Sequence, residues 1–318
     1  MPVWKNYHLA HSIQEALELL ESDPKNTRFL AGGTDLLLEL WQGVQPPVAT
    51  LIDITQIPEL KIIELRNASL FIGAAVPLNR IVESSLVNEH APALVEASDL
   101  IGGPQVRNAA TLGGNVAHAL PAADGTIALL ACGAQAELAS LGGVQQVKLE
   151  SLFLGPRRSV LIEKHALLVG FYLPLRKPGS SSVFKRVMRP QGVALPILNM
   201  AIWLKRKDRT LEDLRLAIGP ASPTPLRARG TEKVLRGQPL TEETARRALQ
   251  TLHAEVRLRT SEHRASAAYR HYLVDILFYD CLMAVWERAD GSPLNLQVMA
   301  SHAPMMIEKK GGHHAVSD

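Results

Sequence analysis

Apolar residues recur at helical spacing near the start of the chain: Ala16, Leu17, Leu19 and Leu20 form a stripe behind Ser12 and Glu15, which have the spacing of a capping box. The pattern predicts a helix from Ser12 that stops near Asp23, because Pro24 disfavours helical geometry in the residue before it. Phe29-Leu30-Ala31 then reads as a short buried strand entering Gly32-Gly33, with a helical turn or two over 35–40, so the glycines lie between a strand and a helix start. Residues 50–55 read as a strand, and 62–65 with 70–73 as a hairpin turning at Asn67-Ala68. Helical spacing returns over 79–85 and 91–101 and is stopped by Gly102-Gly103-Pro104. A second glycine loop, Thr111-Leu112-Gly113-Gly114-Asn115, precedes a short helix over 126–132 and strands over 134–138, 144–149 and 167–173.

Residues 174–182, with a proline, a glycine and three serines, have the composition of a linker and mark a domain boundary. Beyond them the pattern predicts strands over 183–187, 197–205 and 211–218, the last two joined by an Asp208-Arg209 turn. Helices follow a proline-rich break: one opens at Thr241 with Glu242 and Glu243 in its first turn, and a longer one spans 266–288 with Tyr269, Leu273, Ile276, Leu277 and Met283 as its buried stripe. From about 290 onward periodicity is lost, and a flexible or partner-wrapping tail is expected.

Composition changes this picture mainly by exclusion. The 318 residues suffice for two domains, and 47% apolar with 20% charged residues is ordinary for a globular protein. A net charge of +3 leaves no broad electrostatic footprint for nucleic acid. Neither an N-terminal apolar signal nor a run of ~20 apolar residues is present, so the expected location is cytoplasmic, with no transmembrane segment. Two distant cysteines, Cys132 and Cys281, cannot make a zinc or iron–sulfur site, so redox chemistry requires a borrowed cofactor. Eleven histidines offer no ligand spacing beyond His313-His314 in the tail, and no metal site is expected.

The chemistry is concentrated in the two glycine pairs. Each follows an apolar run and leads into a small polar residue, so consecutive amide N–H groups can turn toward one anion with no Cβ in the way. One such loop is commonly just a turn. Two in one N-terminal half suggest a pyrophosphate gripped from both sides, although neither the Walker A nor the Gly-x-Gly-x-x-Gly pattern is present.

With these motifs the chain resembles the FAD-binding medium subunit of the xanthine dehydrogenase and aerobic carbon monoxide dehydrogenase family of molybdenum hydroxylases. Ala31-Gly32-Gly33-Thr34-Asp35 is similar to that family's first pyrophosphate loop, and the segment from Gln105 to Asn115 to its second. Pro121-Ala122-Ala123-Asp124 falls at its Pro-x-x-Asp, and Ser266-Ala267-Ala268-Tyr269-Arg270 resembles the start of its C-terminal helix. The resemblance implies an α+β fold: a PCMH-type FAD-binding domain of two α/β subdomains (1–176), then a smaller α+β domain (177–289) with a three-stranded antiparallel sheet and a helical bundle, and a tail (290–318). It further implies that Arg28, Phe29, Leu30, Ala31, Gly32, Gly33, Thr34 and Asp35, with Thr111, Leu112, Gly113, Gly114 and Asn115, wrap the FAD pyrophosphate. Asp124 would contact the cofactor, Ile101 and Leu168 would lie against it, and Lys185 would reach it from the second domain.

The implied function is electron transfer. A large subunit oxidises substrate at molybdopterin, a small subunit relays electrons through [2Fe-2S] clusters, and FAD on this chain is the exit, in a dimer of heterotrimers. No residue of this chain is expected to be catalytic in its own right. The acidic loop that xanthine dehydrogenases carry near the flavin is replaced by Arg189-Pro190-Gln191-Gly192-Val193-Ala194, which argues against NAD as acceptor. A free-standing FAD oxidoreductase of the same fold, or a non-catalytic nucleotide-binding subunit, are the alternatives. Gly33→Val and Gly114→Val are both expected to remove flavin while leaving the chain folded. The basic run Arg257, Arg259, Arg264 and Arg270 reads as a solvated helix face or part of a partner surface.

Overall fold

The computed structural model describes residues 3–189, 195–262 and 264–290. The loop reading at 190–194, the tail and His313-His314 lie outside the described residues.

The N-terminal unit comprises β1 (Asn6–Leu9), α1 (Ile13–Ser22), β2 (Thr27–Leu30), α2 (Leu36–Trp41) and β3 (Thr50–Asp53). Ser12 caps α1 by accepting from Glu15 N, while the Glu15 carboxylate reaches back one residue further than a strict capping box, to His11 N. The three strands form a parallel sheet in the order β1-β3-β2. β1 escapes the sequence pattern because all four of its residues are exposed, which leaves no alternation to read.

The second unit begins with β4 (Ile63–Arg66) and β5 (Ser69–Gly73), a hairpin whose turn residues Asn67 and Ala68 both have positive φ, as a type I′ turn demands. A helical stretch follows: α3 (Leu78–Val82), α4 (Ser85–His90), α5 (Pro92–Asp99), α6 (Pro104–Ala109), α7 (Leu112–Ala117) and α8 (Asp124–Cys132). Then come β6 (Gln135–Ser140), β7 (Gly143–Lys148), β8 (Phe153–Gly155), β9 (Arg158–Ser159), α9 (Val160–Glu163) and β10 (Leu167–Pro174). Its main sheet is antiparallel, in the order β4-β5-β10-β6-β7.

Two local readings change here. Gly102-Gly103-Pro104 stops one helix but also starts the next, since Pro104 occupies the first turn of α6, where its missing N–H costs nothing. The second glycine pair is not in a loop. Thr111 is the N-cap of α7, and Gly113 and Gly114 are in its first turn.

The third unit holds β11 (Ser180–Val187), β12 (Leu198–Lys207), β13 (Thr210–Gly219), β14 (Leu226–Arg227), α10 (Arg229–Leu235), α11 (Glu242–Glu255) and α12 (Ala267–Asp290). The expected three antiparallel strands are present, with two-residue β14 added at the edge. Ser180, Ser181 and Ser182 belong to buried strand β11 and not to the linker, which shortens to 175–179. Ser182 Oγ accepts from Ala93 N at the start of α5, so small polar side chains here permit close packing between units. On α12, Tyr269 is exposed, and the buried stripe runs instead through Leu273, Leu277, Phe278, Cys281, Leu282 and Val285. Arg257 and Arg259 lie beyond the end of α11, and Arg270 is buried with its guanidinium on Ile197 O, so the basic run is not one solvated helix face.

Every residue of α8 is buried. A helix apolar on all sides must be covered on all sides, and α8 joins the core of the second unit, which also takes in Phe184, Ala201 and Ala217 of the third. No helix among the described residues is long and apolar enough to cross a membrane.

Candidate functional site

β2 is parallel to β3 and runs directly into Ala31, so the first glycine pair emerges at the carboxyl end of a parallel sheet, where α/β folds place ligands. Gly33 has φ +70°, a left-handed conformation that favours glycine. Within 32–35 no backbone N–H meets an acceptor among the described residues. Four consecutive donors therefore remain for a ligand.

The second motif behaves differently. Leu112 N donates to Val76 O, Gly113 N to Ala74 O, Gly114 N to Thr111 Oγ1 and Asn115 N to Thr111 O. All four amides are consumed, which removes them from any anion cradle. What this segment supplies is a wall without side chains: Gly114 is exposed, and among the described residues a Cβ added to it would meet, beyond its own helix backbone, only Thr111 Oγ1, at 3.1 Å. Asn115 accepts from Thr126 N through Oδ1, and its Nδ2 meets no acceptor among the described residues.

The two motifs touch. A Cβ on Gly32 would fall 2.0 Å from Ala109 O, so this glycine is required for the close crossing of backbones that brings α6 and α7 against the first loop. Together they line a cleft of about 530 Å³, within the range of small-molecule sites. The cleft is closed on its far side by Arg157, Ser159, Leu161 and Ile162 from the β8–α9 segment, and by His165 and Ala166.

Of the residues named from sequence, Arg28, Phe29, Leu30, Ala31, Gly32, Gly33, Thr34, Asp35, Ile101, Thr111, Gly114 and Asn115 all line this cleft. Leu112 and Gly113 lie buried behind it. Arg28 contributes a half-buried guanidinium whose pKa burial pulls down, and its Nη1 donates to Thr27 O.

Three residues are placed elsewhere. Leu168 is buried in the core of the second unit, opposite Leu138 on β6. Asp124, at the start of α8, is also buried; it accepts from Arg186 Nη1 and Asn199 Nδ2, both at 2.5 Å, which ties α8 to the third unit. Burial pushes its carboxyl upward, opposed by Arg186 and Asn199. Lys185 pairs with Asp280 of α12 at 3.9 Å. Successive strand residues point to opposite faces, so it is the neighbouring Arg186 that faces α8.

Glu39, His118 and Arg157 also line the cleft and do not stand out in the sequence. The signal is spacing: Glu39 lies one helical turn after Asp35, and His118 one turn after Gly114. Their meeting across 79 residues has no sequence mark. Among the described residues, no group of three or more His, Cys, Asp or Glu is placed to hold a metal ion.

Comparison with known proteins decides the lineage. Residues 4–176 match the FAD binding domain in molybdopterin dehydrogenase, and 182–285 the CO dehydrogenase flavoprotein C-terminal domain. The chain belongs to the FAD-binding medium subunits of the molybdenum hydroxylases. It is thus an oxidoreductase subunit whose cofactor is FAD.

Among its relatives, the xanthine dehydrogenase FAD-binding subunit of Escherichia coli O157:H7 is 32% identical over 86% of this chain and 92% of its own length. The carbon monoxide dehydrogenase medium chain of Hydrogenophaga pseudoflava is 30% identical over 89% and 97%. A solved structure of carbon monoxide dehydrogenase from Hydrogenophaga pseudoflava, lacking the Mo-pyranopterin moiety, superposes with a TM-score of 0.86 at 30% identity, over 91% of this chain and 99% of the other.

FAD fits the medium subunit's cleft on the structure's own terms. A diphosphate needs clustered donors and close backbone approach; the free amides of 32–35 supply the first, and the bare Gly114 wall the second.

Proposed function

We propose that this chain is the electron-exit subunit of a molybdenum hydroxylase complex. Its FAD would take electrons from [2Fe-2S] clusters on a small subunit, after substrate hydroxylation at the molybdopterin site of a large subunit, and pass them to an external acceptor. The observation that carries the reading is the cleft between the first two units, with four unused amides of 32–35 on one side and the Cβ-free face of Gly114 on the other. FAD supplies a redox centre that accepts electrons singly and releases them in pairs, and the protein's share is placement and electrostatics.

In this assignment the cleft residues from Arg28 to Asp35, with Ile101, Thr111, Gly114 and Asn115, hold the dinucleotide. Leu112 and Gly113 support the wall from behind. Asp124 acts at one remove, by fixing the third unit against the second through Arg186 and Asn199, while Leu168 packs in the core of the second unit and Lys185 pairs with Asp280 within the third. The FAD-binding domain is placed at 1–176, the C-terminal flavoprotein domain at 177–289 and the tail at 290–318, in a cytoplasmic dimer of heterotrimers.

Co-expression with the two partner chains tests this. The purified complex is expected to contain FAD, iron and molybdenum, and its flavin absorbance should bleach when the complex meets its reducing substrate anaerobically. A complex with iron and molybdenum reduced but flavin still oxidised would overturn the electron-exit role, and full turnover by the chain alone would favour a free-standing enzyme.

A further inference from the structure

The first turns after the two glycine pairs face each other across the cleft. Glu39, on α2, is nearly removed from water, accepts from His118 Nε2 at 2.9 Å and from Gln45 Nε2 at 2.5 Å, and forms an ion pair with Arg157 Nη2 at 3.1 Å. Burial pushes its carboxyl up, but the hydrogen bonds from His118 and Gln45 and the charges of His118 and Arg157 outweigh this and hold it below the usual carboxylate range. Glu39 is therefore an ionised acceptor. An acceptor that only accepts fixes its partner's tautomer, so His118 Nε2 carries a proton in both charge states of the ring.

That leaves Nδ1 as the nitrogen that can meet a ligand either with a lone pair or with a proton. It lies 3.7 Å from Asp35 Oδ1, at the end of the run of free amides, and His118 follows Gly114 by one turn on the same helix face. With His118 neutral, Nδ1 presents a lone pair, which repels a phosphate oxygen. Protonated, it presents a donor.

Charge counting points the same way. Asp35 and Glu39 on one side and Arg28 and Arg157 on the other cancel among the cleft's charged side chains. His165, the other imidazole in the cleft, is held by Glu21 of α1 at 3.2 Å. A dinucleotide's diphosphate brings about two negative charges into a neutral site unless His118 contributes one positive.

We propose that His118 is a diphosphate-binding residue of the FAD site, oriented by Glu39 as a positioning residue, and that FAD binding takes up one proton at its Nδ1. The proposal rests on the cleft being the FAD site. It makes flavin affinity pH-dependent through a side chain outside both glycine motifs.

The test is titration of the full, deflavinated chain with FAD and with ADP-ribose, which carries the same diphosphate without the flavin, from pH 5.5 to 8.5. Wild type should weaken for both ligands by up to about tenfold per pH unit as pH rises through this range, with about one proton taken up, read by calorimetry in two buffers of different ionisation enthalpy. His118→Gln should be flat with pH and close to wild type at the alkaline end. Glu39→Gln should show a shallower slope, and His165→Gln the wild-type slope. Circular dichroism checks folding, with His118→Asn as the second variant should the glutamine disturb α7.

Tight FAD binding that is flat with pH in wild type, or a slope that survives in His118→Gln and His118→Asn, overturns the role of His118 and leaves the site assignment standing. Absence of FAD and ADP-ribose binding by the folded wild-type chain at every pH overturns both.

Discussion

Gly113 and Gly114 are adjacent and occupy the same helical turn, yet adding one methyl to each should have opposite consequences. At Gly113 a Cβ would lie 2.5 Å from Ala74 O, 2.6 Å from Ala74 Cβ and 2.9 Å from Ala74 Cα, all parts of a backbone segment with nowhere to go. The same residue donates its N–H to Ala74 O at 2.8 Å, so any shift that relieves the clash stretches this bond. Overpacking costs about 1–3 kcal/mol and a weakened buried hydrogen bond about 1 more, which places Gly113→Ala at about 2–4 kcal/mol of lost stability. At Gly114 the one nearby atom beyond its own helix backbone, among the described residues, is Thr111 Oγ1 at 3.1 Å, and glycine to alanine within a helix gains up to about 1 kcal/mol. Gly114→Ala should thus fold as well as wild type or slightly better. Its methyl, however, would protrude from the wall of the cleft, and a misfit of about 1–3 kcal/mol weakens FAD by about 5- to 150-fold. Urea denaturation of the deflavinated chains gives the first quantity, and FAD titration at fixed pH the second. If Gly114→Ala proved the less stable of the two, or bound FAD as tightly as wild type, the assignment of this wall to the dinucleotide would be wrong.

Further expectations concern charge and burial. Asp124→Ala leaves the buried Arg186 guanidinium without its carboxylate and should cost about 3–5 kcal/mol in urea denaturation, whereas Arg186→Met with Asp124→Leu together should recover much of it. Because the folded state holds the Glu39 carboxyl below its ordinary value, the stability this gives is present above that value and is lost as pH falls through the folded one; Glu39→Gln should flatten acid denaturation below about pH 4.5. Cys132 and Cys281 are both fully enclosed, and burial pushes the Cys132 thiol up to about 11, so neither should react with a thiol reagent at pH 8 until denaturant is added, when two equivalents should appear.

What the sequence discloses of this protein is local. The α1 start at Ser12, the type I′ hairpin at Asn67-Ala68 and the strand that delivers Gly32 are set by neighbours in the chain, and each is legible. What escapes is set by distant partners. Two amides of the second motif, those of Leu112 and Gly113, are captured by Val76 and Ala74, some forty residues earlier, while Thr111 takes the other two locally. Lys185 carries the family resemblance, but strand alternation gives the inward face to Arg186 and leaves Lys185 with Asp280. Gly33→Val is also no clean probe, since Gly33 has positive φ and its Cβ would press on Leu37; a loss of flavin in that variant would mix strain with site. Glu39 and His118 look like ordinary helix-surface residues until the fold opposes them.

The helix that is buried on every side has a bearing on how the polypeptide comes apart. The peptide between β10 and β11 has the look of a hinge, and cutting it would seem to yield two autonomous fragments. Yet α8 is roofed by strands from the far side of that hinge, and Glu96 of α5 receives both Phe184 N and Arg288 from across it. Each fragment would therefore carry an open wound of apolar surface where the other had been. Proteolytic nicking at 175–179 should give two pieces that stay associated, melt in one transition and refold only when mixed.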